Sequence, residues 1–246
     1  MADRRHRARR LAHRAPAPLI TVVDGWEQGD GSASDRLWLA DWRRQVAELY
    51  AEVRALAATD PTVARRHWRD VRERLFREHP QSPVPRDTRS AFRATHFEHD
   101  PALRFTVVVE AAPPVAPGAF ELKLPNSGPD SLAFSRLGRV QIPFPEGDRF
   151  LSVFWMAGYA GGAFIPFRDA TNGHETYGAG RYLVDAAKSA DLGGDPASGT
   201  LILDFNFAFH PSCAFDPRWA CPLAPPENRL DIAVRAGERL SGEPAA

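Results

Sequence analysis

Between residues 35 and 57 the apolar positions Trp38, Trp42, Val46, Leu49, Val53 and Leu56 recur at steps of four and three, the spacing that lines one face of an α-helix. Ser34 and Asp35 stand at its start and are of the type that caps a helix by accepting from its first backbone N–H groups. A second stripe, Ala64, Trp68, Val71 and Leu75, follows Asp60-Pro61. Proline suits a first helical turn because its missing N–H forfeits no bond there, and His79-Pro80 closes the segment. The tryptophans on both stripes are expected in the core.

From residue 80 onward the period changes. "HPQSPVP" is too rich in proline to continue a helix. After it, β-branched and aromatic runs appear at 103–110, 119–124, 131–144, 149–157, 163–168, 181–186, 200–209 and 230–236, each bounded by Gly, Pro, Asn or Asp. No helical stretch separates consecutive runs, which argues against parallel crossovers. The fold expected is mainly β, of the α+β kind: an antiparallel β-sandwich or barrel with two N-terminal helices packed on it. Residues 1–18 read as a disordered basic leader, and 19–246 as one globular domain with a helical subregion at 35–79 and a β-domain at 80–240.

Charge narrows the partners. Lys plus Arg number 31 and Asp plus Glu 31, so the molecule as a whole exerts no broad pull on nucleic acid or an anionic membrane. No run approaches the length of about 18 apolar residues that crosses a bilayer, and no apolar stretch follows the basic N-terminus as in a secretory signal. A cytoplasmic protein with no nucleic-acid or membrane partner is expected, a small anionic ligand remaining open; neither a cofactor nor an oligomeric state is indicated.

Candidate chemistry concentrates in two segments. In "FIPFRDATNGHETYGAGRYLVD", Asn172-Gly173 is a hairpin signal because both residues tolerate positive φ. Arg168, Asp169, Thr171, His174, Glu175, Thr176, Tyr177 and Arg181 crowd around it, more polar groups than a solvent-facing hairpin requires unless they pair with one another at a sheet rim. In "LILDFNFAFHPSCAFDPRWACPLAPPENRLDIAVRAGE", Asp204 and Asn206 alternate with Leu203, Phe205 and Phe207, so a strand there places both polar groups on one face. Cys213 and Cys221 lie outside any C-x-x-C unit. With His210 they fit a soft-metal site, and alternatively a disulfide, a nucleophile or a pair of packed thiols; packed thiols are expected, with metal binding as runner-up. Glu227 and Asn228 are expected to hold the proline-rich loop down, bonding backbone or Arg181.

These two segments look like the C-terminal signature of a widespread bacterial family catalogued only as a domain of unknown function, and "HPQSPVP" resembles its upstream marker. The resemblance spans roughly residues 38 to 240. Arg168, Asp169, Glu175, Thr176, Tyr177, Gly178, Gly180, Arg181, Asp204, Asn206, Cys213, Cys221, Glu227 and Asn228 match its pattern. The family reads Arg-Ala-Tyr-Asn-Pro where this chain has Phe207 to Pro211, a departure that weighs against His210 as an obligatory ligand. Two functional readings follow. In one, Arg168 or Arg181 holds an anionic group while Asp204 or Glu175 moves a proton, with Asp169, Tyr177, Asn206, Glu227 and Asn228 binding around them. In the other, a binding or scaffold domain uses the same residues to hold a loop to a sheet. An open cleft lined by Arg181, Tyr177 and Asp204 favours the first, full mutual pairing the second.

Overall fold

The computed structural model describes residues 32–112, 122–123 (backbone), 132–157 and 161–240; the expected leader at 1–18 lies outside them. Helix α1 spans Ala33–Ala57 and α2 spans Pro61–Glu78. The cap of α1 is Ser32, whose side chain accepts from the Asp35 N–H at 3.0 Å. Ser34 and Asp35 fall inside the first turn, a correction of two residues. Asp60 caps α2 through the N–H groups of Thr62 (2.8 Å) and Val63 (3.2 Å). Leu49, Tyr50, Val53 and Ala57 of α1 share one buried cluster with Ala64 and Trp68 of α2, and Leu75 and Phe76 of α2 form a second with Trp42 and Val46 packed against it. Trp68 is fully buried, with its indole N–H donated to the Tyr50 hydroxyl at 3.2 Å. The stripe misplaces Trp38, which is 45% exposed, because the N-terminal turns of α1 overhang the core.

The strands are β1 (Thr95–His96), β2 (Arg104–Ala111), β3 (Leu122–Lys123), β4 (Ala133–Phe144), β5 (Gly147–Met156), β6 (Gly162–Phe167), β7 (Arg181–Asp185), β8 (Gly194–Asp195), β9 (Thr200–Asp204) and β10 (Glu238–Arg239). The main sheet runs β7-β6-β5-β4-β2-β9-β8, with β3 also on β4 and all pairs antiparallel. β1 and β10 form a small second sheet. Strand β2 pairs with β9 over Arg104 to Val108 and with β4 over Val109 to Ala111. That change of partner, and the return of the chain after β9 to Tyr182 of β7, where Tyr182 and Phe209 exchange backbone bonds of 2.8 and 3.0 Å, curl the sheet into a half-barrel. The expected α+β, antiparallel class therefore holds.

A bulge in β4 between Arg136 and Gly138 decides what each face covers. An extra residue reverses the inward alternation beyond it. Phe134 thus joins Phe154, Phe164, Tyr182 and Phe207 under the helices, whereas Val140 and Ile142 join Leu151, Val153, Ile165, Phe167, Leu203 and Phe205 on the concave side.

Two expected strands differ. β9 ends at Asp204, not 209, because its carboxylate accepts the Asn206 N–H (2.9 Å) and turns the chain into a 3-10 turn at Phe205–Phe207. Residues 230–236 form no strand; their backbone groups serve the 168–170 segment, with Leu230 N to Arg168 O at 2.7 Å and Ala170 N to Ile232 O at 2.9 Å, and the Arg181 side chain. Of the run at 119–124, Leu122–Lys123 is described. Among the described residues no helix is long and apolar enough to cross a membrane.

Candidate functional site

The segment between β6 and β7 is knotted by its own side chains. Asp169 Oδ1 accepts from the Thr171 N–H (2.7 Å) and from its hydroxyl. Asn172 accepts from Asp169 N (2.7 Å) and donates to Thr176 Oγ1 (2.9 Å) and Tyr177 O (3.0 Å). Asn172 therefore works as a side-chain staple, and of the pair Gly173 alone has a positive φ, +84°. The expected two-residue hairpin turn is replaced by a longer polar loop.

Arg181 opens β7 with its side chain completely buried. Nη2 donates to Asp169 Oδ2 (2.7 Å) and Val234 O (2.8 Å), and Nη1 to Glu238 O (3.2 Å) and Ala236 O. Its guanidinium lies 5.1 Å from the Phe167 ring centroid. Burial lowers its pKa and Asp169 opposes that shift. The β6–β7 loop and the C-terminal segment are thus tied together by one cation. Arg168 donates to Gly178 O at 2.7 Å.

Beside this knot Glu238, also buried, receives Arg72 Nε at 2.5 Å and the His210 N–H at 2.7 Å. Burial opposes its charge, but Arg72 outweighs burial and holds Glu238 down at about 2. His210 accepts from Tyr177 N (3.3 Å), and burial pushes it down to about 4, so the ring is neutral at pH 7. Burial also lowers His96 to about 4.

Asp204 and Asn206 belong to a separate network. Asp204 Oδ2 pairs with Arg104 (3.0 Å), Oδ1 accepts from Asn206 Nδ2 (2.8 Å), and Asn206 bonds both the N–H (2.9 Å) and the carbonyl (2.7 Å) of Asp100. Asn228 spans two strands, accepting from Ser152 N (2.8 Å) and donating to Ser152 O (3.0 Å) and Pro166 O (2.8 Å). Glu227 pairs on the surface with Arg136 and Glu175 with Arg235. Of the two partners expected for this pair, Asn228 takes backbone, and neither Glu227 nor Asn228 bonds Arg181, whose acceptors lie at 169 and 234–238.

Cys213 and Cys221 are buried thiols, with the Cys213 N–H donated to Cys221 Sγ at 3.3 Å. The Cys213 side chain and burial push the Cys221 thiol well up, which suppresses the thiolate that nucleophilic chemistry needs. Burial and Cys213 raise the Tyr177 phenol to about 12. Among the described residues no group of three or more His, Cys, Asp or Glu side chains is placed to hold a metal ion, so His210 and the two cysteines do not assemble into one.

Between α1, the 80–89 connection and the cysteine loop lie two adjoining cavities that pattern reading missed. One, of about 210 Å3, is lined mostly by the apolar Leu39, Trp42, Val46, Pro83, Ala220 and Cys221, and also by Arg43, Lys188 and Ser212. The other, of about 390 Å3, is lined by Ser32, Ser34, Trp38, Arg86, Arg89 and Arg218. Asp35, Gln81 and Trp219 line both. The available signals were Arg86-x-x-Arg89 directly after "HPQSPVP" and Trp219 between the cysteines.

A family described as "Protein of unknown function (DUF1684)" matches residues 91–239. The chain belongs to this DUF1684 family. It is 30% identical to the uncharacterized protein from gene locus rrnAC0354 of Haloarcula marismortui, whose solution NMR structure aligns with a TM-score of 0.54 over 75% of this chain and 96% of that one. No curated protein matches the chain. The family match covers both networks of buried polar residues and the cysteine loop, while α1 and the 80–89 connection precede it.

Proposed function

We propose that this chain is a small-molecule-binding domain. Arg168, Asp169, Tyr177, Arg181, Asp204, Asn206 and Asn228 act as the frame that holds the cysteine loop against the half-barrel, and the ligand lies between that loop and α1. The apolar cavity of about 210 Å3 carries the reading. A dry apolar cavity of about 150 Å3 already admits benzene, so this one suits a molecule of one to two rings.

Binding is favoured over catalysis by how the polar groups are spent. Arg181 gives its Nη donors to four protein oxygens, and both oxygens of Asp204 are engaged internally. Glu175 is held at the surface by Arg235, far in role from a buried acid or base. General acid–base catalysis at pH 7 is served best by a group able to exchange a proton near that pH; burial drives His210 and Tyr177 away from it, and the Cys213 side chain together with burial does the same for Cys221.

Equilibrium dialysis against 1-naphthol tests the proposal. Saturable one-to-one binding is expected, abolished by Ala220→Trp, which fills the cavity from its wall without touching the buried frame. Absence of saturable binding, or binding unchanged in Ala220→Trp, contradicts it.

A further inference from the structure

The larger cavity carries an unusual charge arrangement. Arg89 is 8% exposed and donates only to carbonyl oxygens, those of His79 (2.9 Å), Ser82 (3.3 Å) and Val84 (2.9 and 3.2 Å). Its guanidinium is therefore rigidly held, yet these bonds bring no negative charge. Burial lowers its pKa, and the neighbouring Arg86 and Arg218 lower it further, so the three cations share one electrostatic neighbourhood. Two carboxylates lie nearby. Asp35 accepts from Gln81 Nε2 at 2.5 Å, and Asp216 pairs with Arg218 at 3.3 Å. Among the described residues no carboxylate comes within ion-pair distance of Arg86 or Arg89.

Arg86 and Arg89, which no described carboxylate pairs, converge with Arg218, which Asp216 pairs, on a concave space that Asp35 also lines, leaving three cations against two carboxylates; such an excess of positive charge favours an anion, because several charge-assisted bonds form at once. The side groups are suitable for a head group: the Ser34 hydroxyl lines the space, and Arg218 stacks over Trp219 at 5.1 Å. Trp219 is itself fixed by its indole N–H to Pro83 O (3.2 Å) and forms the shared wall with the apolar cavity. Size selects among anions. The cationic chamber is the larger of the two, about 390 against about 210 Å3, more room than a bare carboxylate fills.

Resting on the binding reading above, we infer that the ligand is an amphipathic phosphate ester, with its apolar body between Trp42 and Trp219 and its phosphoryl group among Arg86, Arg89 and Arg218. The two cavities then form one site, built by α1, the 80–89 connection and the cysteine loop. Arg89 supplies a fixed charge, while Arg86 and Arg218, both exposed, close on the phosphoryl oxygens.

The test uses the full chain and compares 1-naphthyl phosphate with 1-naphthol by equilibrium dialysis at low salt. The phosphate is expected to bind at least about tenfold more tightly, as one or more charge-assisted bonds imply, and the advantage should shrink in high salt. The double variant Arg86→Gln, Arg218→Gln should lose most of that advantage, Arg89 alone remaining, and retain affinity for 1-naphthol. Ser34→Glu, at the exposed start of α1, provides an independent check by repelling the phosphate alone. Equal affinity for the two probes, or an advantage undiminished in both variants, overturns the phosphate inference while leaving apolar binding intact. Failure of both probes to bind overturns the binding reading and this inference with it.

Discussion

Replacing Arg181 by methionine removes a cation with a completely buried side chain and leaves Asp169 buried opposite an apolar group. Stranding one member of a buried ion pair costs about 3–5 kcal/mol. The carbonyls of Val234, Ala236 and Glu238 lose their guanidinium donors too, although methionine restores contact with Phe167. A net loss of about 4 kcal/mol is expected, a large share of the roughly 5–15 kcal/mol that holds a domain together. Urea denaturation followed by tryptophan fluorescence reads it as a lower midpoint with the slope unchanged. The companion double variant Arg181→Met, Asp169→Leu should recover part of the loss, because no charge is then stranded. A single variant within about 1 kcal/mol of wild type, or a double variant worse than the sum of the singles, refutes Arg181 as the central tie of the frame.

Acid should weaken the fold in two stages. Burial lowers His96 and His210 from 6.5 to about 4, so the stability they contribute is present above about pH 6.5 and drains as pH falls toward 4. Arg72, working against burial, holds Glu238 at about 2 instead of 4.5, so its share is present above about pH 4.5 and drains toward 2. The slope reaches about 1.4 kcal/mol per pH unit for each group titrating, and urea midpoints that stay flat from pH 7 to 4.5 contradict it. Cys213→Ala with Cys221→Ala should lower stability by about 1–3 kcal/mol per site as packing is trimmed; near-equimolar zinc in the purified wild-type protein contradicts packed thiols.

The helices and most of the sheet are legible in the chain because their signals are periodic. The stripe through Leu49 and Val53 and the strand pair β4–β5 each repeat a spacing that burial enforces. What fails does so where one pattern serves two structures. Asp204 and Asn206 alternate as in a strand, yet the same spacing lets Asp204 cap a turn, and the distant Asp100 backbone decides between them. Residues 230–236 also alternate, but their carbonyls are claimed by Arg181, a choice made from about 50 positions away. Polar density at 168–181 marks the right place and leaves its purpose open, since an internal knot and an open site share the same residue types. The cavities are less legible still: Arg218 joins Arg86 and Arg89 only after the cysteine loop folds back, and Trp38 lies on a helical stripe that predicts burial for a side chain that is 45% exposed.

Indole N–H resonances offer the most direct measurement of where a ligand sits. Trp38, Trp42 and Trp219 line the two cavities, Trp68 is sealed in the core against Tyr50, and Trp155 stands on the sheet, 44% exposed and lining a different depression with Gly162 and Leu201. In a 1H–15N titration of the full chain with 1-naphthyl phosphate, the Trp42 and Trp219 signals should shift together and saturate, Trp38 with them, while Trp68 and Trp155 stay fixed. The sixth tryptophan, Trp26, lies outside the described residues; movement centred on Trp155, or no shift of the Trp38, Trp42 and Trp219 signals at saturating probe, contradicts a binding site between α1 and the cysteine loop.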